Sequence, residues 1–166
     1  DGGGGDCECG ESNWSYVWIA NSDEATVSKI NTRTMVEEGR YATGGQSPSR
    51  TSVSIDGKAA VVANRGVGLA KFWALTEFCE DKNGNGTIDT STGAMNVLPF
   101  GEDECMDWFL DFPDMSNQRP VAWTSGTFNR SNCTYQDQKI WTVTGYGGSP
   151  TQCSGSTVWA HLVDGD

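Results

Sequence analysis

Residues 17–30 read VWIANSDEATVSKI, and residues 60–72 read AVVANRGVGLAKF. Each is a short apolar run, a polar turn opened by Asn, and a second short run. The pairs Ala20-Asn21 and Ala63-Asn64 stand 43 residues apart. Lys29 and Lys71 fall late in the second run of each copy, one residue out of step. A third, weaker copy is KIWTVTGY from Lys139, followed by STVWAHLVDG from Ser156. A period of about 40–45 residues with several strands in each unit points to propeller blades. The expected fold class is therefore all-β, built of antiparallel blades.

The strands follow from composition and turn chemistry. Tyr16 to Ala20 and Thr26 to Ile30 are β-rich and short, with Asn21-Ser22-Asp23-Glu24 as the turn between them. Val36 to Tyr41 is a third strand, ended by Gly44-Gly45. Asp56-Gly57 separates a Ser/Thr-rich alternating run from the apolar run Ala59 to Ala63, a strong hairpin signal. No segment has convincing amphipathic helical spacing. A β-sandwich made of the same strands is the alternative architecture.

The segment from Tyr16 to Ala63 resembles the β-propeller units called YVTN repeats. The matching residues are Tyr16-Val17, Asn21, Thr26-Val27-Ser28, Ile30-Asn31, Val36, Gly44, Pro48, Val53, Asp56-Gly57-Lys58 and Val61-Val62. Asn31 replaces the family's Asp, and Trp18-Ile19-Ala20 lengthens the first strand. The match covers about a third of the chain well and the rest weakly. It implies a fold rather than a function, because propellers host scaffolds, sensors and enzymes alike. Counted as blades, residues 13–166 open on a second strand, complete that blade, make a second, and open a third near Pro120 to Trp123. About three blades are expected, against the four to eight of closed propellers. The expected partner is another protein chain that completes the ring, either the other product of a cleaved precursor or a distinct subunit.

A segment of different chemistry, at about 75–118, interrupts the second blade. Within it DKNGNGTID places Asp81, Asn83, Asn85, Thr87 and Asp89 at alternate positions, with Gly86 sixth and Ile88 eighth. Calcium takes six to eight oxygens, and alternating short oxygen-bearing side chains converge on one point while glycine permits the turn. The pattern resembles the calcium loops of EF-hand and dockerin-type sites. That resemblance implies a calcium cofactor, with sodium or magnesium hard to distinguish. The twelfth position is Thr92 rather than a bidentate Glu, so Glu102, Asp103 or Glu104 is expected to supply the missing ligand. A tight turn of two Asn-Gly steps without metal is the alternative.

The six cysteines are Cys7, Cys9, Cys79, Cys105, Cys133 and Cys153, an even count that fits disulfides in an oxidising compartment. The expected bridges are Cys79 with Cys105 and Cys133 with Cys153. Cys7 and Cys9 pair with each other or with another chain. Zinc is disfavoured by the tight Cys7-Glu8-Cys9 spacing and the single His161. Residues 1–12, rich in Gly and acid, read as a flexible leader whose Asp1 is a processed terminus. The expected location is secreted, periplasmic or cell-surface. The formal charge of -11 repels nucleic acid and anionic membrane, and no apolar run is long enough to span a bilayer.

No nucleophile–base pair, phosphate loop or open metal site is apparent, so no catalytic residue is assigned. His161 reads as a packed or surface strand residue, and Asp111 and Asp114 as solvated loop acids. The leading expectation is a non-enzymatic binding or structural module, stabilised by calcium. Propellers similar to streptogramin lyases use a histidine and magnesium, and this chain has one histidine and no matching motif. An enzyme subunit is thus the second reading. A third is a carbohydrate-binding face formed by Trp18, Trp73, Trp108, Trp123, Trp141 and Trp159, which as core residues would instead pack between blades.

Overall fold

The structure, a computed structural model, describes residues 14–66, 68–112, 118–145 and 158–165. Strands β1 (Tyr16–Asn21), β2 (Thr26–Asn31) and β3 (Val36–Ala42) form the first antiparallel sheet. The second sheet runs β4 (Pro48–Val53), β5 (Ala59–Asn64), β6 (Leu69–Trp73) and β7 (Met106–Leu110) in sequential order. In the third, β8 (Val121–Trp123) and β12 (Val158–Asp164) flank β11 (Lys139–Gly145). A small hairpin, β9 (Thr127–Asn129) with β10 (Thr134–Gln136), lies between β8 and β11 in the chain. One 3-10 turn, Thr76–Phe78, is the helical element among the described residues.

The chain is all-β, and its three main sheets stack face to face in the manner of propeller blades. No closed ring forms among the described residues. β5 shows why. Successive side chains on a strand point to opposite faces. Ala60 and Val62 enter one core with Trp18, Val27 and Tyr41 of the first sheet. Val61 and Ala63 enter a second core with Ile140 of the third sheet. Both faces are covered, so all six residues of β5 are buried and the strand reads as a continuous apolar run. Aromatic rings line and cross the first interface: Trp18 stacks on Tyr41 within the first sheet at 5.8 Å, and Tyr41 meets Phe72 of the second at 5.1 Å between centroids. At the inner edges Thr51 donates to the Trp18 carbonyl (3.0 Å), and the Trp123 indole donates to the Ser52 carbonyl (3.0 Å).

The sheets correspond position by position. Trp18 faces Lys29 across β1–β2, Val61 faces Lys71 across β5–β6, and Trp141 faces Leu162 across β11–β12. The first residue beyond each of β2, β6 and β12 donates its amide to the residue just before the paired strand. These bonds are Thr32 to Ser15 (2.9 Å), Ala74 to Lys58 (2.7 Å) and Gly165 to Gln138 (2.9 Å).

Two buried lysines bridge neighbouring sheets from matching positions. Lys29 Nζ donates to the Ala74 carbonyl at 2.9 Å, and Lys71 Nζ to the Gly165 carbonyl at 2.7 Å. Both ammonium groups lie against aromatic rings, Lys29 5.1 Å from the Tyr16 centroid and Lys71 4.2 Å from that of Trp73. An acid accompanies each. The β2–β3 register slips after Lys29, skipping Glu38, and the β6–β7 register slips after Lys71, skipping Asp107. Such bulges re-aim a side chain. Asp107 pairs with Lys71 at 2.9 Å. Burial lowers the Lys29 pKa, opposed by the charges of Glu38 and Asp103.

The stretch expected as an insertion, 75–118, therefore contains a sheet strand. The excursion lies between β6 and β7, residues 74–105, and β7 completes the second sheet.

Candidate metal loop

The excursion carries the candidate loop. Cys79 and Cys105 close it in a disulfide. Ile88, at the eighth position, packs against the first core, and Gly84 and Gly86 take the positive φ values of 73° and 86° that the turn requires. Asp81 opens the loop. Its carboxylate accepts the amides of Gly84 (2.7 Å), Asn85 (3.2 Å) and Gly86 (2.8 Å), which folds the backbone around it. The Asn83 and Asn85 side-chain amides both reach Asp89 Oδ2, at 2.9 and 2.7 Å. Thr87 Oγ1 donates to Asn85 Oδ1 (2.7 Å). The five residues singled out by alternation thus lie in one hydrogen-bonded cluster.

The acids after the loop have distinct roles. Glu104 is buried, and its carboxylate accepts the amides of Lys82, Asn83 and Asp89 (2.8–3.0 Å), clamping the loop from beneath. Asp103, also buried, accepts bonds from Thr90, Ser91 and the Cys105 amide, away from the loop centre. Glu102 lines a cleft of about 560 Å³ with Asn83, Asp89, Asn96 and Glu104. Among these three, Glu104 and Glu102 are the acids beside Asp89. Glu104 is one of the three acids expected near the loop, but its role as acceptor of three backbone amides was not legible in the sequence. Its signal was the disulfide spacing, which brings residues 102–105 back to 79–83.

A calcium ion fits this donor set in type. Asp81, Asn83, Asn85, Thr87 and Asp89 offer hard oxygen atoms on a loop of small radius. Two side-chain amide donors meet the Asp89 carboxylate. Among the described residues no point gathers three or more His, Cys, Asp or Glu side chains. The loop brings two Asp, and the other oxygens of its alternating set are neutral.

The other sequence candidates are placed as follows. Cys133 is disulfide-bonded. Its expected partner Cys153 lies outside the described residues, as do Cys7, Cys9, Asp114 and residues 1–12. His161 sits on β12 with its Nε2 2.7 Å from Thr144 Oγ1 and its ring 4.7 Å from that of Phe112. Trp18 is buried between sheets, and Trp73, Trp108 and Trp123 are half-buried, whereas Trp141 and Trp159 are exposed rather than packed between blades. No described helix is long and apolar enough to cross a membrane.

No protein-family model matches the chain, and no curated protein matches it. Among solved structures, Kuenenia stuttgartiensis hydrazine synthase is similar, with a TM-score of 0.50 at 12% identity. The alignment covers 91% of this chain and 36% of that one, so the chain spans about a third of that structure. At such identity the likeness is one of fold.

Proposed function

We propose that the chain is part of a secreted, calcium-stabilised β-propeller of the YVTN type and acts as a binding or structural module within a larger ring. One observation carries this reading. The stack ends on two apolar sheet faces that its own packing pattern would cover. Val17 and Ile19 are 43% and 45% exposed on the first sheet, on the face corresponding to the one that Ala60 and Val62 bury. Trp141 and Leu162 are 50% and 52% exposed on the far side of the third sheet. Open apolar sheet faces of this kind mark interaction surfaces. A closed ring covers both with further blades, which another protein chain would bring. The Cys79–Cys105 bridge agrees with an oxidising compartment. Calcium would hold the excursion through Asp81, Asn83, Asn85, Thr87 and Asp89, and its role is structural.

Hydroxyl-radical footprinting of the protein in its native assembly tests the reading. Ile19, Val17, Trp141 and Leu162 should be protected. A free 17.9 kDa monomer with all four oxidised at the rate of exposed side chains refutes it. Carbohydrate binding has weaker support, since Trp141 and Trp159 are the exposed tryptophans and they lie on opposite faces of the third sheet.

A further inference from the structure

The two internal interfaces are joined by the same device. A lysine on β2 or β6 of one sheet crosses to the carbonyl of the first residue beyond the corresponding strand, β6 or β12, of the next. Lys29 takes Ala74 and Lys71 takes Gly165. A bulged acid stands on the strand that follows each lysine: Asp107 pairs with Lys71 at 2.9 Å, and Glu38, hydrogen-bonded to Tyr16 and Asn31, acts on Lys29 through its charge. Thr32 is the third residue of this set, as its amide bond to Ser15 shows. Its carbonyl belongs to the first sheet, and no described sheet precedes that one. The surrounding face is the open one, with Val17 and Ile19 where the second sheet has Ala60 and Val62.

We propose that the open face of the first sheet seats a further antiparallel sheet that carries a lysine on the strand corresponding to β2 and β6, and that this ammonium donates to the Thr32 carbonyl. The proposal rests on the ring reading above and names the chemistry of the neighbour. It follows from continuity, since the chain builds this interface twice and presents its receiving half a third time. A backbone carbonyl covered by an apolar sheet needs a donor. The two covered examples both receive an ammonium. The neighbouring sheet also has an acid in a bulge of the strand that follows, because a lysine taken out of water needs a counter-charge.

A second copy of this chain does not meet these terms. Its third sheet would be the one to stack, and Leu162 stands there at the lysine position, opposite Trp141. Seated in the same register, it would cover the Thr32 carbonyl with a hydrocarbon side chain.

The test uses the protein isolated from its native source together with whatever it is assembled with. Thr32→Asp places a carboxylate on an exposed turn beside the carbonyl. Treatment with a water-soluble carbodiimide should then form an amide to a lysine in a peptide other than those that carry the lysines of residues 14–165. Ser15→Asp, at the hydrogen-bonded neighbour, serves if the first variant folds poorly. Protection of Ile19 without any such cross-link overturns the lysine while leaving a covering sheet in place. A cross-link confined to this chain's own lysines overturns it in favour of a second copy. An Ile19 that oxidises freely rejects both the seat and the ring.

Discussion

Lys71 is 1% exposed, yet it keeps its charge satisfied on three sides by the Gly165 carbonyl, the Asp107 carboxylate and the Trp73 ring. Removing one partner of a buried pair leaves the other uncompensated, at about 3–5 kcal/mol when both are fully buried. Asp107 is partly exposed, so Lys71→Met should cost less, about 2–4 kcal/mol, read from the urea midpoint. A variant within 0.5 kcal/mol of the parent, about the scatter of surface substitutions, would show that the bridge carries no stability. Tyr16 offers a titration at the same scale. Burial, then its hydrogen bond to Glu38 and that residue's charge, push the phenol up to about 12. The folded state therefore holds this proton more tightly than the unfolded chain does, whose phenol titrates near 10. Its contribution to stability is complete below pH 10 and is lost as pH rises from 10 to 12. Tyr16→Phe should flatten the alkaline limb of the stability profile. An unchanged limb would assign it to other groups, including Tyr41, which burial also raises.

The excursion between β6 and β7 is a single element held at both ends. The bridge from Cys79 to Cys105 spans a separation of 26 residues, and closing such a loop is worth about 3.5 kcal/mol in the chain-entropy model. Reduction should lower the denaturant midpoint by a comparable free energy, and an unshifted midpoint would mean the loop stays ordered in the unfolded chain. Calcium acts on the same element. An ion that binds only the folded state stabilises by mass action, about 2.7 kcal/mol at a hundredfold excess over its dissociation constant. Chelation should lower the melting temperature and make cleavage within 81–89 faster, and Asp81→Ala should reproduce both effects while abolishing any further response to chelator. A parent protein whose melt ignores both calcium and chelator would reduce the loop to its Asn-Gly turns. Glu104→Gln separates clamp from ligand. It keeps one carbonyl acceptor for the Lys82, Asn83 and Asp89 amides, so it should loosen the loop with or without the ion.

At the scale of the molecule, stability and assembly reside in different side chains. Val17, Ile19, Trp141 and Leu162 project from the two ends of the stack, while both internal cores are made by other residues. Ile19→Asp should change the stability of the isolated chain by no more than about 0.5 kcal/mol, as surface substitutions do. In the native assembly it should cause dissociation or exclusion, measured by native mass spectrometry. A variant that assembles normally would mean that this face stays open to solvent. Val62→Asp, one strand position into the buried core, should instead prevent folding, because it would bury an unpaired charge.

Local chemistry was enough for the first five strands. β-branched runs broken by Asn, Asp and Gly turns gave away β1, β2, β3 and the β4–β5 hairpin, because turn geometry and side-chain alternation act over a few residues. The apolar run of β5 marked a strand, and the structure showed it covered on both faces. The alternating oxygens of 81–89 were equally plain, since the loop folds around its own first residue. The pairing of lysines with bulged acids needed the fold. Nine residues separate Lys29 from Glu38, but thirty-six separate Lys71 from Asp107, so no sequence period links the two devices. β7 was hidden for the same reason, lying beyond an excursion that resets the spacing. Which tryptophans are buried was also decided in three dimensions. Trp18 and Trp141 stand at matching strand positions, and among the described residues only Trp18 has a neighbouring sheet to cover it. Burial belongs to the stack rather than to the residue.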